Sequence, residues 1–487
     1  MTAARHWRAL STCEKLLALL FLFSLPLVNP WVRGDGVGYY AYIRSLLIDH
    51  NLRFENEWKA GNPTFLMGRM DSSGKLKPDQ YTSTGHLDNH FTVGPAMLWA
   101  PFLVPLHLAI TALNRLGAHI PADGFFWPYR ATMAVATAFY GFLGLCLGFR
   151  LARKYVEERW AFLATIGIWF ASSLPVYMYF NPSWSHAHSA FGVALFLWYW
   201  HGTREKRTPS QWALLGGLSG LMIDVYYPNG ILLLLPFLEA VSNYWRGLRA
   251  PAPEWRRIGR LFAAHVFYLA AILFTLLPTL VTRQIIYGSP FRLGAYTEMS
   301  WNWTFPALLD VLVAPNHGLL SWTPILIPAL AGLLLFWKHD RAFAGYLLAA
   351  TLAFYYVIAS YPTWDGLSSF GNRYFVSLTP VFVLGLASGL SEFEKLLGRA
   401  RAAWAAATLA AGLFIVWNLG FIFQWGTHMV PPRGPISWRE MAHNQVAVVP
   451  VRLAQSLRNY LVRRQAMMEH IEQEDLKKLQ SQQRKGE

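Results

Sequence analysis

The sequence predicts an all-α polytopic membrane protein, and its composition, its apolar runs and its charge placement each indicate this class. Of the 487 residues, 54% are hydrophobic and only 14% are charged, whereas soluble domains carry about 25% charged residues. The apolar residues fall in repeated runs near the length that crosses about 30 Å of hydrocarbon. The basic residues, which give a net charge of +15, form short clusters between these runs. Such clusters are typical of membrane topology and exclude a nucleic-acid groove.

The first apolar run, 16–28, predicts an uncleaved span with a cytoplasmic amino terminus. Arg5, Arg8 and Lys15 come before it, and no small-residue cleavage site follows it. Basic residues that flank a first span favour the cytoplasmic side. The long polar stretch that follows is therefore expected outside, as a large extracytoplasmic loop over 31–128.

Segment 94–113 within this loop is apolar enough to cross, but we predict that it lies flat at the membrane surface. If it crossed, the cluster around Arg150 and Arg153 would lie outside, against the positive-inside bias. The segment also contains Pro95, Pro101 and Pro105, which suit a bent interfacial helix.

The remaining apolar runs bring the predicted number of spans to about eleven. They are 129–149, 160–180, 189–201, 212–223, 230–244, 261–285, 319–337, 344–360, 375–390 and 403–423. The chain thus divides into a membrane domain, 1–430, and a tail, 431–487. Leu453, Leu457 and Leu461 share one helical face of the tail, which predicts a surface-lying amphipathic helix before a solvated, charged end. A twelfth crossing stays open.

The unusual polar motifs all fall on the predicted outer face, which indicates a polar cavity opening outward. They are the segments 33–42, 185–188, 224–229, 314–318 and 364–373. Asp35 lies between glycines where the first span ends, so it is a candidate general base or, alternatively, the cap of the next helix. Arg373 lies at the outer end of a span, where a guanidinium binds phosphate or simply reaches the interface.

Histidine and aromatic side chains are the other candidates near this face. His186 and His317 are candidate ligands or ordinary interface histidines, while Tyr39 and Trp364 suit stacking on sugar rings or an aromatic belt. The motif His86-Leu-Asp88-Asn-His90 would place three metal ligands on one face of an extended segment. Short patterns of this kind also arise by chance, and we expect no metal cofactor.

The order of these features resembles the GT-C superfamily of membrane glycosyltransferases, which includes protein O-mannosyltransferases and lipid A aminoarabinose transferases. The resemblance covers about residues 10–430. It rests on Asp35 after the first span, on the outer loop with interfacial helices, on the segment 90–95 and on the string 364–374. The sequence departs from the family pattern in having a lone Asp35 instead of an acidic pair and a single Pro95 instead of two prolines.

This resemblance implies a transferase that moves a sugar from a polyprenyl-phosphate carrier to a lipid, polysaccharide or protein acceptor outside the cell inner membrane. Asp35 would be the catalytic base. The implied donor-binding residues are Arg373, His186, His317, His90, Tyr39, Asn229 and Trp364. A transporter or flippase is the alternative, but it would place polar residues midway along the spans. A lipid-binding assembly protein that docks partners on the outer loop is a second alternative.

Overall fold

The computed structural model describes residues 10–205, 207–251, 254–294 and 299–486. These residues form α-helices and isolated bridges but no β-strand. The helices are α1 Thr12–Ser24, α2 Asp35–Arg44, α3 Glu55–Lys59, α4 Pro63–Leu66, α5 Gly94–Arg115, α6 Trp127–Ala152, α7 Glu158–Phe170, α8 His186–Thr203, α9 Pro209–Val225, α10 Leu234–Leu248, α11 Trp255–Tyr287, α12 Leu308–Val313, α13 Leu319–Trp322, α14 Leu326–Leu335, α15 Arg341–Ser360, α16 Thr379–Leu397, α17 Ala400–Gly426, α18 Trp438–His443, α19 Val449–Val462 and α20 Arg464–Gly486.

The chain is a multi-pass membrane protein, as predicted. Among the described residues, six helical segments are long and apolar enough to cross a membrane: α5, α6, α11, α15, α17 and the segment Arg373–Leu397, which contains α16. Large apolar side chains such as Phe23, Phe274 and Leu409 are exposed on the outward faces of their helices. Hydrocarbon rather than water is the solvent that such faces require.

The segment predicted to lie at the interface is a continuous helix, α5, although Pro101 and Pro105 lie inside it. Its 22 residues are enough to cross a membrane by length and composition. The predicted interfacial placement of this helix therefore stays a prediction.

Non-helical residues interrupt the predicted spans 160–180 and 319–337. The run 160–180 breaks after α7, where the Ser172 hydroxyl accepts a hydrogen bond from Leu174 N and Pro175 follows. The run 319–337 breaks between α13 and α14 at Pro324. A proline removes a backbone donor and disfavours a helical residue before it. The Asn418 amide of α17 donates to the carbonyls of Phe170 and Ser172, at 2.9 and 2.8 Å, so carbonyls freed by the first break remain satisfied.

Basic residues of the predicted inner loops meet acidic residues at one end of the bundle. Arg150 Nε lies 2.7 Å from Glu14 at the start of α1, and Arg159 Nη2 lies 2.6 Å from Glu394 near the end of α16. Asp35 and Arg373 lie beyond the other ends of these two helices. For α1 and α16, the predicted site residues and the basic clusters therefore lie at opposite ends of the helix.

The structure places the predicted leucine face of the tail on helix α19, but the charged end, for which the sequence predicts solvation, is partly buried. After α19 the chain continues as helix α20, in which Ile471 and Glu472 are buried. The reason is that charges of α20 find partners near the start of α2, so this helix packs on the Asp35 end of the bundle.

Candidate active site

The turn before α2 determines where Asp35 lies. Gly34 is the N-cap residue of α2 with φ 53°, a left-handed conformation that favours glycine. Its N–H donates to the Asn62 side-chain oxygen at 3.0 Å. Asp35 is the first residue of the helix and makes no side-chain capping bond, so the alternative interpretation of Asp35 as the helix cap is wrong. Its charge still lies at the positive end of the helix dipole.

The neighbouring glycines, Gly36 and Gly38, make room for other parts of the protein. A Cβ at Gly36 would lie 2.0 Å from the Ser183 hydroxyl, and one at Gly38 would lie 2.0 Å from the Phe91 ring. These small residues let α2 pack closely against the segments around Ser183 and Phe91. Asp35 therefore extends from a helix that is held on two sides.

Arg373 reaches across to Asp35 from the start of the Arg373–Leu378 turn. Its Nη1 donates to Asp35 Oδ2 at 2.6 Å, and its side chain is 11% exposed while that of Asp35 is 34% exposed. The guanidinium lies over the Trp184 ring, 4.6 Å from its centre, a favourable cation–π contact. Trp184 Nε1 donates to the Arg33 carbonyl at 3.0 Å, which fixes the ring.

The guanidinium retains free donor capacity. In the described part of the chain, Arg373 Nε is buried and has no hydrogen-bond partner. Since a guanidinium carries five N–H donors in a planar fork, Arg373 can hold Asp35 and an anion at the same time.

Asp35 and Arg373 face a polar cavity of about 570 Å³. Cations outnumber anions on its wall, as expected for a pocket that receives a negatively charged group. The charged lining residues are Arg33, Asp35, Arg69, Arg373, Arg433, Asp475 and Lys478, with His428 beside them.

Arg69 is a second cation inside this cavity. Its guanidinium lies over the Phe65 ring at 4.2 Å, and Nη1 donates to the Phe65 carbonyl at 2.6 Å. Burial lowers the pKa of Arg69 and the negative charge of Asp35 raises it in part. An arginine stays charged at neutral pH under such conditions, so two guanidinium groups act within the field of one carboxylate.

An apolar cavity of about 200 Å³ adjoins the polar one. Its walls are α17, α19, the start of α20 and the segment after α1, and they include the predicted tail leucines Leu453 and Leu457. Arg33, Asn181 and Trp425 line both cavities. This apolar groove thus opens directly beside the polar cavity.

The structure brings together two predicted site residues, Asp35 and Arg373, whereas the other candidates do not line the polar cavity. None of His186, His317, His90, Tyr39, Asn229 and Trp364 is among the described residues that line the polar cavity. His186 packs edge-on against Tyr177, with ring centres 4.7 Å apart. The Asn229 amide is buried and donates to the Ser189 hydroxyl and the Met222 carbonyl, both at 2.9 Å.

The remaining candidates also have partners inside the fold. The His317 ring stacks on Trp322 at 4.5 Å, and burial lowers the pKa of His317 to about 4. The Tyr39 hydroxyl accepts from Ser185 Oγ at 2.9 Å. The Trp364 carbonyl accepts from the Asn372 amide at 3.0 Å, and the His90 ring packs 4.3 Å from Phe91. The roles of these residues in donor binding stay predictions.

The His86-Asp88-His90 motif does not gather three ligands. The His86 ring bonds the Thr84 hydroxyl at 3.0 Å, whereas Asp88 accepts from the Tyr287 hydroxyl. Throughout the residues that the structure describes, no group of three or more histidine, cysteine or acidic side chains could hold a metal ion.

Sequence reasoning missed Trp184, Arg69 and the contribution of the tail to the cavity wall. Trp184 directly precedes the 185–188 motif, so its position carried a usable signal. The tail residues Asp475 and Lys478 carried no such signal, because only the folded chain brings α20 to the cavity.

Burial raises the pKa of Asp475, but the hydrogen bond and charge of His428, together with Arg33, lower this pKa by more.

No protein-family model and no curated protein matches the chain by sequence. Among solved structures, it is similar to the oligosaccharyltransferase AglB from Archaeoglobus fulgidus in complex with an inhibitory peptide and a dolichol-phosphate, with TM-score 0.51 and 14% identity over 83% of this chain. The chain spans about half, 54%, of the length of that protein. It is also similar to ArnT from Cupriavidus metallidurans in the apo state, with TM-score 0.45 and 12% identity over 87% of this chain and 73% of ArnT. The chain therefore has the fold of the AglB structure over most of its own length.

Proposed function

We propose that the chain is a membrane glycosyltransferase that takes a sugar from a polyprenyl-phosphate carrier. The observation that carries this proposal is the apolar groove that opens into a pocket lined by Asp35 and several cations. A lipid-linked sugar has the same two parts, an apolar chain and an anionic, polar head. The dolichol-phosphate bound in the AglB structure is a lipid phosphate of this kind.

In the proposed reaction, the hydroxyl oxygen of the acceptor attacks the anomeric carbon of the donor sugar. The bond from that carbon to the phosphate oxygen breaks, and its electron pair stays on the departing polyprenyl phosphate. Asp35 takes the proton of the acceptor hydroxyl. Arg373 neutralises the charge that grows on the phosphate through the donors it does not use on Asp35, and Arg69 adds to the positive field.

We further propose that the Asp35 end faces outward from the cell inner membrane. The basic residues gathered at the opposite end favour the cytoplasmic leaflet. The acceptor then lies outside and belongs to one of three classes, a lipid, a polysaccharide or a protein. A peptide is bound in the AglB structure, where it is an inhibitor.

The direct test compares lipids, surface glycans and surface proteins by mass spectrometry in cells with and without the chain. We expect one lipid, glycan or protein to be heavier by the mass of one sugar when the chain is present. The same comparison identifies the donor, because the polyprenyl-phosphate sugar accumulates when the chain is absent. Identical lipid, glycan and protein profiles would contradict the proposal.

We expect transfer by membranes that contain the chain to persist in EDTA, since Arg373 supplies the positive charge that the leaving phosphate needs. Loss of transfer in EDTA with recovery on adding a divalent cation would assign the charge neutralisation to a metal instead.

A further inference from the structure

Helix α20 forms part of the wall of the polar cavity. Asp475, Lys478 and Leu479 of this helix line it, and Ile471 lines both the polar cavity and the apolar groove. The helix is therefore placed where it can act on the groups that face the cavity.

The anchor of α20 is a buried carboxylate. Glu472 is 4% exposed, and its Oε1 accepts from Asn62 Nδ2 and from the Thr64 N–H, each at 2.7 Å. Its Oε2 lies 3.6 Å from Arg33 Nη2. A carboxylate taken out of water is costly unless it is paired and hydrogen-bonded. Glu472 is hydrogen-bonded through Oε1 and paired with Arg33 only while it contacts the segment around Asn62 and Arg33, and among the described residues Oε2 has no hydrogen-bond partner.

These contacts lead directly to the start of α2. Asn62, whose amide Glu472 holds, accepts the Gly34 N–H on its own side-chain oxygen. Arg33 is held in the same way, because its Nη2 lies 3.1 Å from Asp475 Oδ2. The two residues immediately before Asp35 are thus both fixed by α20, from a distance of more than four hundred positions along the chain.

We propose that Glu472 is a positioning residue for transfer, which acts through Asn62 and Gly34 to fix the direction of the Asp35 side chain. This inference rests on the proposed function, in which Asp35 is the base. Asp35 is the first residue of α2, so a change in the Gly34 backbone moves its carboxylate relative to the acceptor hydroxyl. A displacement of about 1 Å in such a group costs on the order of a hundredfold in rate.

The test compares Glu472→Ala, Glu472→Gln and Glu469→Ala in the full chain. Glutamine keeps an oxygen that accepts from Asn62 and Thr64, whereas alanine removes it. Glu469 lies on the exposed side of the same helix, which makes Glu469→Ala the matched control. We expect Glu472→Ala to lower kcat by about ten- to a hundredfold, with KM for the donor nearly unchanged. Glu472→Gln should retain most of the wild-type kcat. Glu469→Ala should have the same kcat as the wild type.

Amide hydrogen exchange gives a second readout that does not depend on transfer. We expect exchange of the peptide covering 33–37 to quicken by about tenfold in Glu472→Ala alone, because the Gly34 N–H loses a fixed acceptor. An unchanged kcat or unchanged exchange in Glu472→Ala would overturn the inference, as would equal defects in the alanine and glutamine variants. If the wild type transfers no sugar, the proposed function fails, while exchange still decides whether α20 holds the Asp35 turn.

Discussion

Asp35→Asn is expected to lower the rate of sugar transfer by about a thousandfold while the protein still binds its donor. General bases contribute roughly 10²–10⁴ in rate, and an asparagine cannot accept the proton of the acceptor hydroxyl. The amide oxygen can still accept from Arg373, so the Arg373 side chain keeps its place over Trp184. The measurement is the amount of product formed per folded protein, together with the affinity for the donor.

Asp71→Asn is the matched control for this substitution. Asp71 is an exposed carboxylate of the same loop region, and its hydrogen bonds go to Ser73 and Lys75 close by in sequence. We expect this variant to transfer sugar at the wild-type rate. If Asp35→Asn also transferred at that rate, Asp35 would have no part in the mechanism.

Sequence reasoning predicted the helical membrane fold because hydropathy runs are local. The breaks within 160–180 and 319–337 escaped it, since both runs remain apolar through Pro175 and Pro324. What makes the first break tolerable is Asn418, which lies on α17 and donates to carbonyls some 250 positions earlier in the sequence. A long-range hydrogen bond of this kind leaves no periodic pattern to find.

The candidate site likewise contains some residues that the sequence could identify and others that it could not. Asp35 and Arg373 could be identified because each is a charge at the end of an apolar run, where a charge is unusual. His317 and Asn229 also lie near the ends of apolar runs. In the folded chain, however, the His317 ring stacks on Trp322 and the Asn229 amide donates to the Met222 carbonyl. Glu472 could not be found, because a glutamate in a charged terminal segment normally faces solvent. Its burial depends on Asn62 and Thr64, which belong to the distant first loop.

Arg373→Met is expected to lower transfer by about a hundred- to a thousandfold and also to raise KM for the donor. Removal of one donor that stabilises a developing negative charge costs roughly 10²–10³ in kcat, and Arg373 in addition would bind the phosphate of the ground state. Arg373→Lys is expected to recover only part of the loss, because an ammonium lacks the planar fork that serves Asp35 and a phosphate together. The check is a full kinetic comparison with Arg53→Met, which alters an exposed arginine of the first loop.

The double variant Asp35→Asn/Arg373→Met separates a catalytic effect from a folding effect. Arg373→Met alone leaves the Asp35 carboxylate without its partner at 2.6 Å, and an unpaired charge that is partly removed from water destabilises the fold. The second substitution removes that charge, so the double variant should yield more folded protein than Arg373→Met does. Its transfer rate per folded molecule should nevertheless be no higher than that of the less active single variant, because the effects of residues that act as a unit are strongly non-additive. Recovery of transfer along with folding would mean that the ion pair supports the fold and takes no part in the chemistry.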